Sequence, residues 1–226
     1  MIVTIPQRQE ALQKVIHCLY DQVDEMRIIF NNYEEIPLWV SEKEKIKPYR
    51  NTQDSHTSNA VWLMMGGVDG YVFTCDDDLL YPSDYVEIML KKYKEHKGLS
   101  IVTMYGEWLK RPFETSYRMG RRSLIYYKSL SKDMKVDIAG VGCSLFHTDL
   151  LRPKIEDFPD ASTRDLWFAV LAAKNKIPIN RIASTENWIE TISVKGPEIR
   201  HWRKDENQCK LRQHIFADIL IPLLKE

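Results

Sequence analysis

The sequence predicts an α/β fold in which helices flank a mainly parallel central sheet. Two observations indicate this class. Through the first hundred residues, short runs of strand-forming apolar residues alternate with segments whose apolar residues recur at helical spacing. One of these runs, YVFTC at 71–75, is nearly continuous in apolar residues, which is typical of a strand covered on both faces. Strands that alternate with helices pair in parallel, because each helix provides the crossover to the next strand.

The first half of the chain contains the regular alternation. Strands are predicted over residues 2–5, 26–30, 71–75 and 99–104. Helices between them are predicted from apolar residues at helical spacing at Leu12, Val15, Ile16 and Leu19, over residues 58–65, and at Val86, Met89, Leu90 and Tyr93. Residues 34–57 are polar and contain Pro37 and Pro48, so we expect an irregular connection there.

The second half of the chain is less regular. Residues 105–135 are rich in Arg, Tyr and Lys, and we expect a hairpin or an excursion over the face that carries the site. Residues 136–146 are predicted to form one strand whose glycines leave room for a close ligand. A helix over 162–174, a strand over 178–183 and a terminal helix from about Asn207 complete the expected fold.

Composition and charge exclude several classes of protein. The chain has 226 residues, of which 44% are hydrophobic, and this content excludes intrinsic disorder. The 32 basic and 32 acidic side chains balance, which argues against a general nucleic-acid-binding domain. The length predicts one domain over residues 1–226. No apolar run approaches the roughly 20 residues that cross a bilayer, so no transmembrane segment is expected.

The N-terminus and the cysteines indicate the compartment. Residues 1–10 lack the basic segment and the long apolar stretch of a signal peptide. The four cysteines lie far apart and include no C-x-x-C pair, so neither a zinc site nor a disulfide framework is expected. We therefore expect a soluble cytoplasmic protein with reduced thiols.

Three consecutive aspartates, Asp76, Asp77 and Asp78, follow the strand at 71–75. Open parallel sheets bind ligands at the carboxyl ends of their strands. Carboxylates this close repel one another unless a cation lies between them, and Mg²⁺ or Mn²⁺ prefers oxygen ligands together with substrate phosphates. The triplet therefore predicts a site for a divalent cation and a diphosphate. The alternative is that the aspartates cap the following helix and are merely solvated.

Two segments resemble a known family. Residues 69–90, DGYVFTCDDDLLYPSDYVEIML, resemble the metal-binding region of GT-A-fold glycosyltransferases, in which an Asp-x-Asp motif follows a hydrophobic strand. The opening VTIPQRQEALQKVIHCLYDQ, followed by MRIIFNN, resembles the start of family-2-type members, and the chain is also similar to small soluble glycosyltransferases that large algal viruses use on capsid glycans. The resemblance implies a single GT-A-type domain. Its nucleotide-sugar-binding half would cover 1–104 and its acceptor-binding half, with the C-terminal helix, 105–226.

The resemblance assigns the donor-binding residues by position. Asp78 is expected to bind Mn²⁺ or Mg²⁺ directly, Asp76 to lie at the metal or the ribose, and Asp77 to take either role. The other residues expected around the nucleotide are Thr4, Pro6, Arg8, Asn32 and Asp54. The stretch between the second strand and the metal motif departs from the family pattern, so Asp54 is assigned by position alone.

Two further residues complete the expected site. Asp165, in STRDLWF at the start of a predicted helix, corresponds to the acidic residue that deprotonates the acceptor hydroxyl in inverting members. Its alternative role is to stabilise the positive end of the helix dipole. His201, in IRHWRKD, is expected to complete the metal site, and Arg203 and Lys204 to neutralise the leaving diphosphate. The alternative for His201 is a surface position in a charged loop.

These assignments predict a metal-dependent glycosyltransferase that moves a sugar from a UDP-sugar to a hydroxyl of a glycan or other acceptor. If the enzyme inverts the anomeric centre, Asp165 takes the acceptor proton; if it retains, Asp165 positions the sugar. Two alternatives stay open. One is a nucleotide- or carbohydrate-binding domain without activity. The other is a metal-dependent phosphohydrolase, although Leu80 stands where the aspartate-based phosphohydrolases carry Thr or Val.

Overall fold

The computed structural model describes residues 1–52, 54–160, 162–194 and 205–225, without the side chains of 54–57. Within these ranges the strands are β1 (Ile2–Thr4), β2 (Met26–Asn31), β3 (Ile46–Asn51), β4 (Tyr71–Asp76), β5 (Leu79–Leu80), β6 (Ile101–Thr103), β7 (Gly106–Leu109), β8 (Arg121–Leu124), β9 (Met134–Val136), β10 (Ile138–Ala139), β11 (Cys143–His147), β12 (Ile179–Arg181) and β13 (Glu190–Thr191). The α-helices are α1 (Gln9–Leu19), α2 (Tyr85–Glu95), α3 (Arg164–Lys174), α4 (Glu206–His214) and α5 (Ile221–Lys225).

The central sheet has eight strands in the order β3-β2-β1-β4-β11-β6-β12-β9. The pairs β3–β2, β2–β1 and β1–β4 are parallel, and so is the pair β6–β12. Strand β11 is antiparallel to both of its neighbours, and β9 is an antiparallel edge strand. The mainly parallel α/β class is therefore confirmed. Because β1 to β4 run in one direction, their carboxyl ends meet at one edge of the sheet.

Helices cover both faces of this sheet. On one face, α1 buries five apolar side chains, Ala11, Leu12, Val15, Ile16 and Leu19. Helix α2 packs on the same face, where its residues join the same apolar cluster. On the other face, α3 packs with the 3₁₀ helix Asp54–Met64. Each large apolar side chain that is fully buried contributes roughly 1.5–3 kcal/mol, so packing rather than helix capping holds α1 in place.

The terminal helices form a third layer over the outer side of α3. Helix α4 continues through a π-helical segment, Ile215–Leu220, into α5. Ile215, Phe216 and Leu220 of this segment are buried against Leu166 and Val170 of α3. None of the helices in the described ranges is both long enough and apolar enough to cross a membrane.

Two predictions of secondary structure are wrong. Residues 34–57 are not wholly irregular, because they contain the edge strand β3, which pairs in parallel with β2. Its residues 47–50 are exposed and include Pro48, so the strand shows no apolar pattern; a proline is tolerated there because an edge strand leaves one row of N–H groups unpaired. Residues 136–146 form parts of three strands, β9, β10 and β11, rather than one.

The excursion predicted over residues 105–135 is a hairpin. Strands β7 and β8 pair antiparallel, and β10 adds to β7, which gives a small sheet beside the central one. Residues 136–146 therefore cross from the central sheet to the small sheet and back. The turn after β10, residues 140–142, returns the chain beside the end of β4.

Candidate functional site

The acidic triplet lies where β4 ends, at the carboxyl edge of the parallel strands. Asp76 is the last residue of β4, and Asp77 and Asp78 form the turn to β5. The side chains of Asp76 and Asp78 are 37% and 25% exposed, whereas that of Asp77 is only 5% exposed. Thr4, at the end of the adjacent β1, is buried beside Asp77 and helps to lower the pKa of that carboxyl. Asp76 and Asp78 are thus the members of the triplet that a ligand can reach.

Arg8 binds two of the three carboxylates. It lies in the 3₁₀ turn Pro6–Arg8 that follows β1, immediately before α1. Its Nη1 atom is 2.7 Å from Oδ1 of Asp77 and 3.0 Å from Oδ2 of Asp78. Burial by itself lowers the pKa of Arg8, but the two carboxylates outweigh it and the net pKa is raised. For Asp77, burial raises the pKa more than Arg8 lowers it.

Gly142 makes room for Asp76. The backbone N–H of Asp76 donates to the carbonyl oxygen of Gly142 over 2.9 Å, and the hydroxyl of Tyr81 donates to the same oxygen over 2.7 Å. A Cβ atom on Gly142 would lie 1.9 Å from Oδ2 of Asp76. We expected the glycines of this segment to leave room for a ligand. This is wrong for both Gly140 and Gly142, because side chains of the protein already occupy the space beside them. The space at Gly142 holds the Asp76 carboxylate, and that at Gly140 holds the ring of Tyr105.

The start of α3 brings a fourth carboxylate to the same place. Asp165 accepts a hydrogen bond at Oδ1 from the backbone N–H of Val141 over 3.0 Å, and its side chain is 43% exposed. Desolvation raises the pKa of Asp165; Arg164 and the Val141 N–H oppose this, and Asp76 reinforces it. A carboxylate with a raised pKa, fixed by one hydrogen bond and open to solvent, has the properties of a general base.

Arg164 links Asp76 to Asp165. Its Nη2 atom is 2.9 Å from Oδ1 of Asp76, and its Nε atom is 3.8 Å from Oδ1 of Asp165. Its side chain is 15% exposed, so it lies between the two carboxylates rather than in bulk solvent. The arrangement brings Asp76 and Asp165 to one guanidinium although they are 89 positions apart in the sequence.

A buried polar network lies next to Asp165 on the side of the small sheet. Arg121 binds both carboxylate oxygens of Glu107, at 2.9 and 2.7 Å, and the hydroxyl of Tyr105 donates to Glu107 over 3.1 Å. The ring of Tyr105 packs on Gly140, which is followed by the Val141 that binds Asp165. The network fixes the turn that holds the Asp165 carboxylate.

The charges of the described side chains leave the site negative. Asp76, Asp77, Asp78 and Asp165 face two guanidiniums, so the formal charge of the cluster is −2. Within the described ranges, no three His, Cys, Asp or Glu side chains are grouped so as to hold a metal ion by themselves. Mg²⁺ is commonly held by one or two carboxylates together with substrate phosphates. The two reachable carboxylates and the residual charge of −2 fit a divalent cation that binds with a diphosphate.

Of the remaining predicted site residues, the structure describes the side chains of Pro6 and Asn32. Pro6 is exposed at the start of the turn that carries Arg8. Asn32 is exposed after β2, with φ of 59°, and its N–H donates to the carbonyl of Asn51 over 3.2 Å. Both lie at the carboxyl edge of the sheet. The side chain of Asp54 and the whole of His201, Arg203 and Lys204 lie outside the described residues.

Sequence reasoning missed two contributors to the site, namely Arg164 and Tyr81, and gave Gly142 a different role. Arg164 directly precedes a predicted site residue, and the crowding of aspartates already demands positive charge, so charge balance was an available signal for it. Tyr81 and Gly142 act through backbone contacts across β4 and the turn after β10, and no pattern in the sequence indicates such contacts.

Comparison with known proteins supports the fold. No family model and no curated protein matches the sequence. Among solved structures, Staphylococcus aureus TarS 1–349 in complex with UDP-GlcNAc matches with a TM-score of 0.60 at 14% identity, over 87% of this chain and 58% of that one. TarS 1–349 in a second structure matches with a TM-score of 0.52 at 10% identity, over 96% and 71%. The chain thus spans little more than half the length of the first match, and it shares the α/β fold of that structure.

Proposed function

We propose that this protein is a glycosyltransferase that moves a sugar from a UDP-sugar to a hydroxyl of a glycan or other acceptor, with Mn²⁺ or Mg²⁺ as cofactor. One observation carries the proposal: the carboxylate of Asp76 at the end of β4 and that of Asp165 at the start of α3 meet at one guanidinium, that of Arg164. The fold likeness to a TarS structure that holds UDP-GlcNAc supports it. In this proposal residues 1–104 bind the donor, and residues 105–226 bind the acceptor.

On the donor side, Asp78 and Asp76 would hold the cation together with the diphosphate oxygens. A bound divalent cation supplies Lewis-acid stabilisation of the leaving nucleoside diphosphate. Arg8 and Arg164 add positive charge for the same oxygens, since guanidinium groups match phosphate geometry. Pro6 and Asn32 are proposed at the nucleoside, and Asp54 near the ribose. Thr4, which was expected beside the nucleotide, is only 2% exposed and lies beside Asp77 instead.

His201 is proposed as a further metal ligand, with Arg203 and Lys204 at the diphosphate. The course of the chain before them supports this proposal. Strand β13 pairs with β5, and the N–H of Ile192 donates to the carbonyl of Asp78 over 2.7 Å. The chain therefore approaches the segment that contains these residues from beside the acidic triplet.

On the acceptor side, Asp165 is the proposed base. Its Oδ1 atom is fixed by Val141, and its side chain is exposed enough for an acceptor hydroxyl to reach it. In an inverting reaction Asp165 takes the proton from that hydroxyl as the sugar–phosphate bond breaks. In a retaining reaction the same carboxylate positions the sugar.

A thermal-shift series with nucleotides and nucleotide sugars, each with and without Mn²⁺, tests the donor assignment. A ligand that binds only the folded chain stabilises it by about 2.7 kcal/mol at a hundredfold excess over Kd. We expect UDP and one UDP-sugar to raise Tm only when Mn²⁺ is present, and Asp78→Asn to lose that shift. A series in which no nucleotide changes Tm would overturn the proposal.

The ion pairs themselves favour a second candidate, a nucleotide- or carbohydrate-binding domain without transferase activity. Arg8 and Arg164 already compensate the triplet in part, so its assembly does not require a cation. UDP release from a UDP-sugar that depends on Asp78 distinguishes the two, because only the transferase breaks the sugar–phosphate bond. Binding without release, across a panel of sugar acceptors, would favour the second candidate.

A further inference from the structure

Arg8 occupies the carboxylate that the proposed cation needs. Its guanidinium is 3.0 Å from Oδ2 of Asp78, and the same nitrogen is 2.7 Å from Oδ1 of Asp77. The two carboxylates differ in burial, since Asp77 is 5% exposed and Asp78 is 25% exposed. The contact with Asp77 is thus the protected one, and the contact with Asp78 is open to competition.

We infer that Arg8 is an exchangeable counterion: it neutralises Asp78 in the ligand-free chain and moves to the diphosphate when cation and nucleotide bind together. This inference rests on the proposed function. The buried carboxylate of Asp77 keeps its contact with the guanidinium of Arg8, and so holds Arg8 at the site while the contact between Arg8 and Asp78 is lost.

Repulsion between like charges drives this exchange. A dication at Asp78 lies within a few ångströms of the guanidinium, and two positive groups at that distance repel strongly in a partly buried site. The cation alone must therefore displace Arg8 without offering it another anion. A nucleoside diphosphate brings negative oxygens for Arg8 to bind, and guanidinium and phosphate form charge-assisted hydrogen bonds. Cation and nucleotide consequently strengthen each other's binding, and by linkage the factor is the same in both directions.

Arg164 has a different position and does not share this role. It contacts Asp76 rather than Asp78, and its Nε atom lies 3.8 Å from Asp165. Its side chain is 15% exposed at the first residue of α3, so it is more enclosed than Arg8, at 22%. Removing it disturbs the base as well as the triplet, and the test is therefore made on Arg8.

The experiment is a Mn²⁺ titration followed by electron paramagnetic resonance, which measures free Mn²⁺ directly, without and with UDP. It compares the unaltered chain with Arg8→Gln, Arg8→Lys and the control Arg152→Gln, which removes an exposed arginine paired with Asp69. For the unaltered chain and the control we expect UDP to tighten Mn²⁺ binding by about tenfold or more, within the usual range of coupling between sites. For Arg8→Gln we expect Mn²⁺ alone to bind about tenfold more tightly, and UDP to tighten it by a smaller factor than in the unaltered chain, because only the contact between the diphosphate and the ion remains.

If Arg8→Gln does not fold, Arg8→Lys keeps the inference testable. Lysine keeps the positive charge, but its ammonium does not reproduce the position of the guanidinium nitrogen that contacts both carboxylates, so the pairing with Asp78 is weakened. We expect Mn²⁺ alone to bind more tightly than in the unaltered chain, with UDP binding preserved. Mn²⁺ affinity equal to that of the unaltered chain in every folded Arg8 variant would overturn the inference.

The same titration distinguishes failure of the proposed function from failure of the inference about Arg8. If the unaltered chain does not bind UDP with Mn²⁺, the proposed function and the inference fall together. If it binds UDP with Mn²⁺ and the Arg8 variants show unchanged coupling, only the inference falls, and Arg8 is a fixed structural partner of the triplet.

Discussion

Replacing Gly142 by alanine tests the geometry of the site with a single added methyl group. The new Cβ would lie 1.9 Å from Oδ2 and 2.0 Å from Cγ of Asp76, against an ordinary contact of 3.4 Å or more. The carboxylate must therefore retreat by about 1.5 Å, away from the 2.9 Å contact that it makes with Arg164. Overpacking costs about 1–3 kcal/mol, and we expect the lower end because the Asp76 side chain is 37% exposed and can turn outward.

The functional effect is expected to exceed the effect on stability. A displacement of about 1 Å at a reacting centre costs on the order of a hundredfold in rate, so we expect kcat/KM to fall by about that factor while the chain stays folded. UDP binding in the presence of Mn²⁺ is measured by calorimetry, sugar transfer by UDP release, and folding by urea denaturation.

Gly66→Ala is the matched control, because a Cβ at Gly66 meets no atom within 4 Å. It should leave binding, transfer and stability close to those of the unaltered chain. If Gly142→Ala binds UDP and transfers sugar as well as Gly66→Ala does, the placement of Asp76 in the site is refuted.

Three further predictions follow from individual side chains. The raised pKa of Asp165 predicts that kcat/KM rises with pH, as the base loses its proton, with a midpoint above the ordinary pKa of 3.8. A midpoint at or below 3.8 would contradict this pH dependence. Asp165→Asn should abolish transfer while UDP still binds. Burial raises the pKa of Cys75 to about 11 and that of Cys143 to about 12, so a thiol reagent at pH 8 should modify the other two cysteines first and these two only after denaturation; rapid labelling of all four would count against this core. Trp62 is 2% exposed and stacks on two phenylalanine rings at 5.0 and 5.4 Å, so Trp62→Ala should lower the free energy of unfolding by about 3–5 kcal/mol in urea denaturation, and a loss below about 1 kcal/mol would contradict the packing.

The regular part of the fold was predictable because its signal is local. Helix α1 and strand β4 show their burial in the spacing of apolar residues, since helices repeat every 3.6 residues and a strand covered on both faces is apolar throughout. Strand β3 gave no such signal, because an edge strand with four exposed residues and a proline has the composition of a loop. The region 136–146 misled for a related reason: its strands are two to five residues long and are separated by turns.

The position of the acidic triplet was also predictable, but its partners were not. A strand followed by three aspartates fixes where the carboxylates lie, since the end of a parallel strand is a defined edge of the sheet. The contacts of Arg8 and Arg164 join residues 69 and 88 positions apart and depend on the packing of whole elements. Electrostatics predicted that the aspartates need positive charge, and a cation is only one source of it. The two arginines supply part of that charge from the chain itself.

A crystal structure of the chain with UDP and Mn²⁺ would show directly whether the acidic triplet binds a cation together with a diphosphate. We expect the ion between Asp78 and the diphosphate oxygens at the carboxyl edge of β4, with the guanidinium of Arg8 turned from Asp78 towards the diphosphate. A nucleotide bound elsewhere, or an Asp78 carboxylate still paired with Arg8 and without the ion, would contradict it.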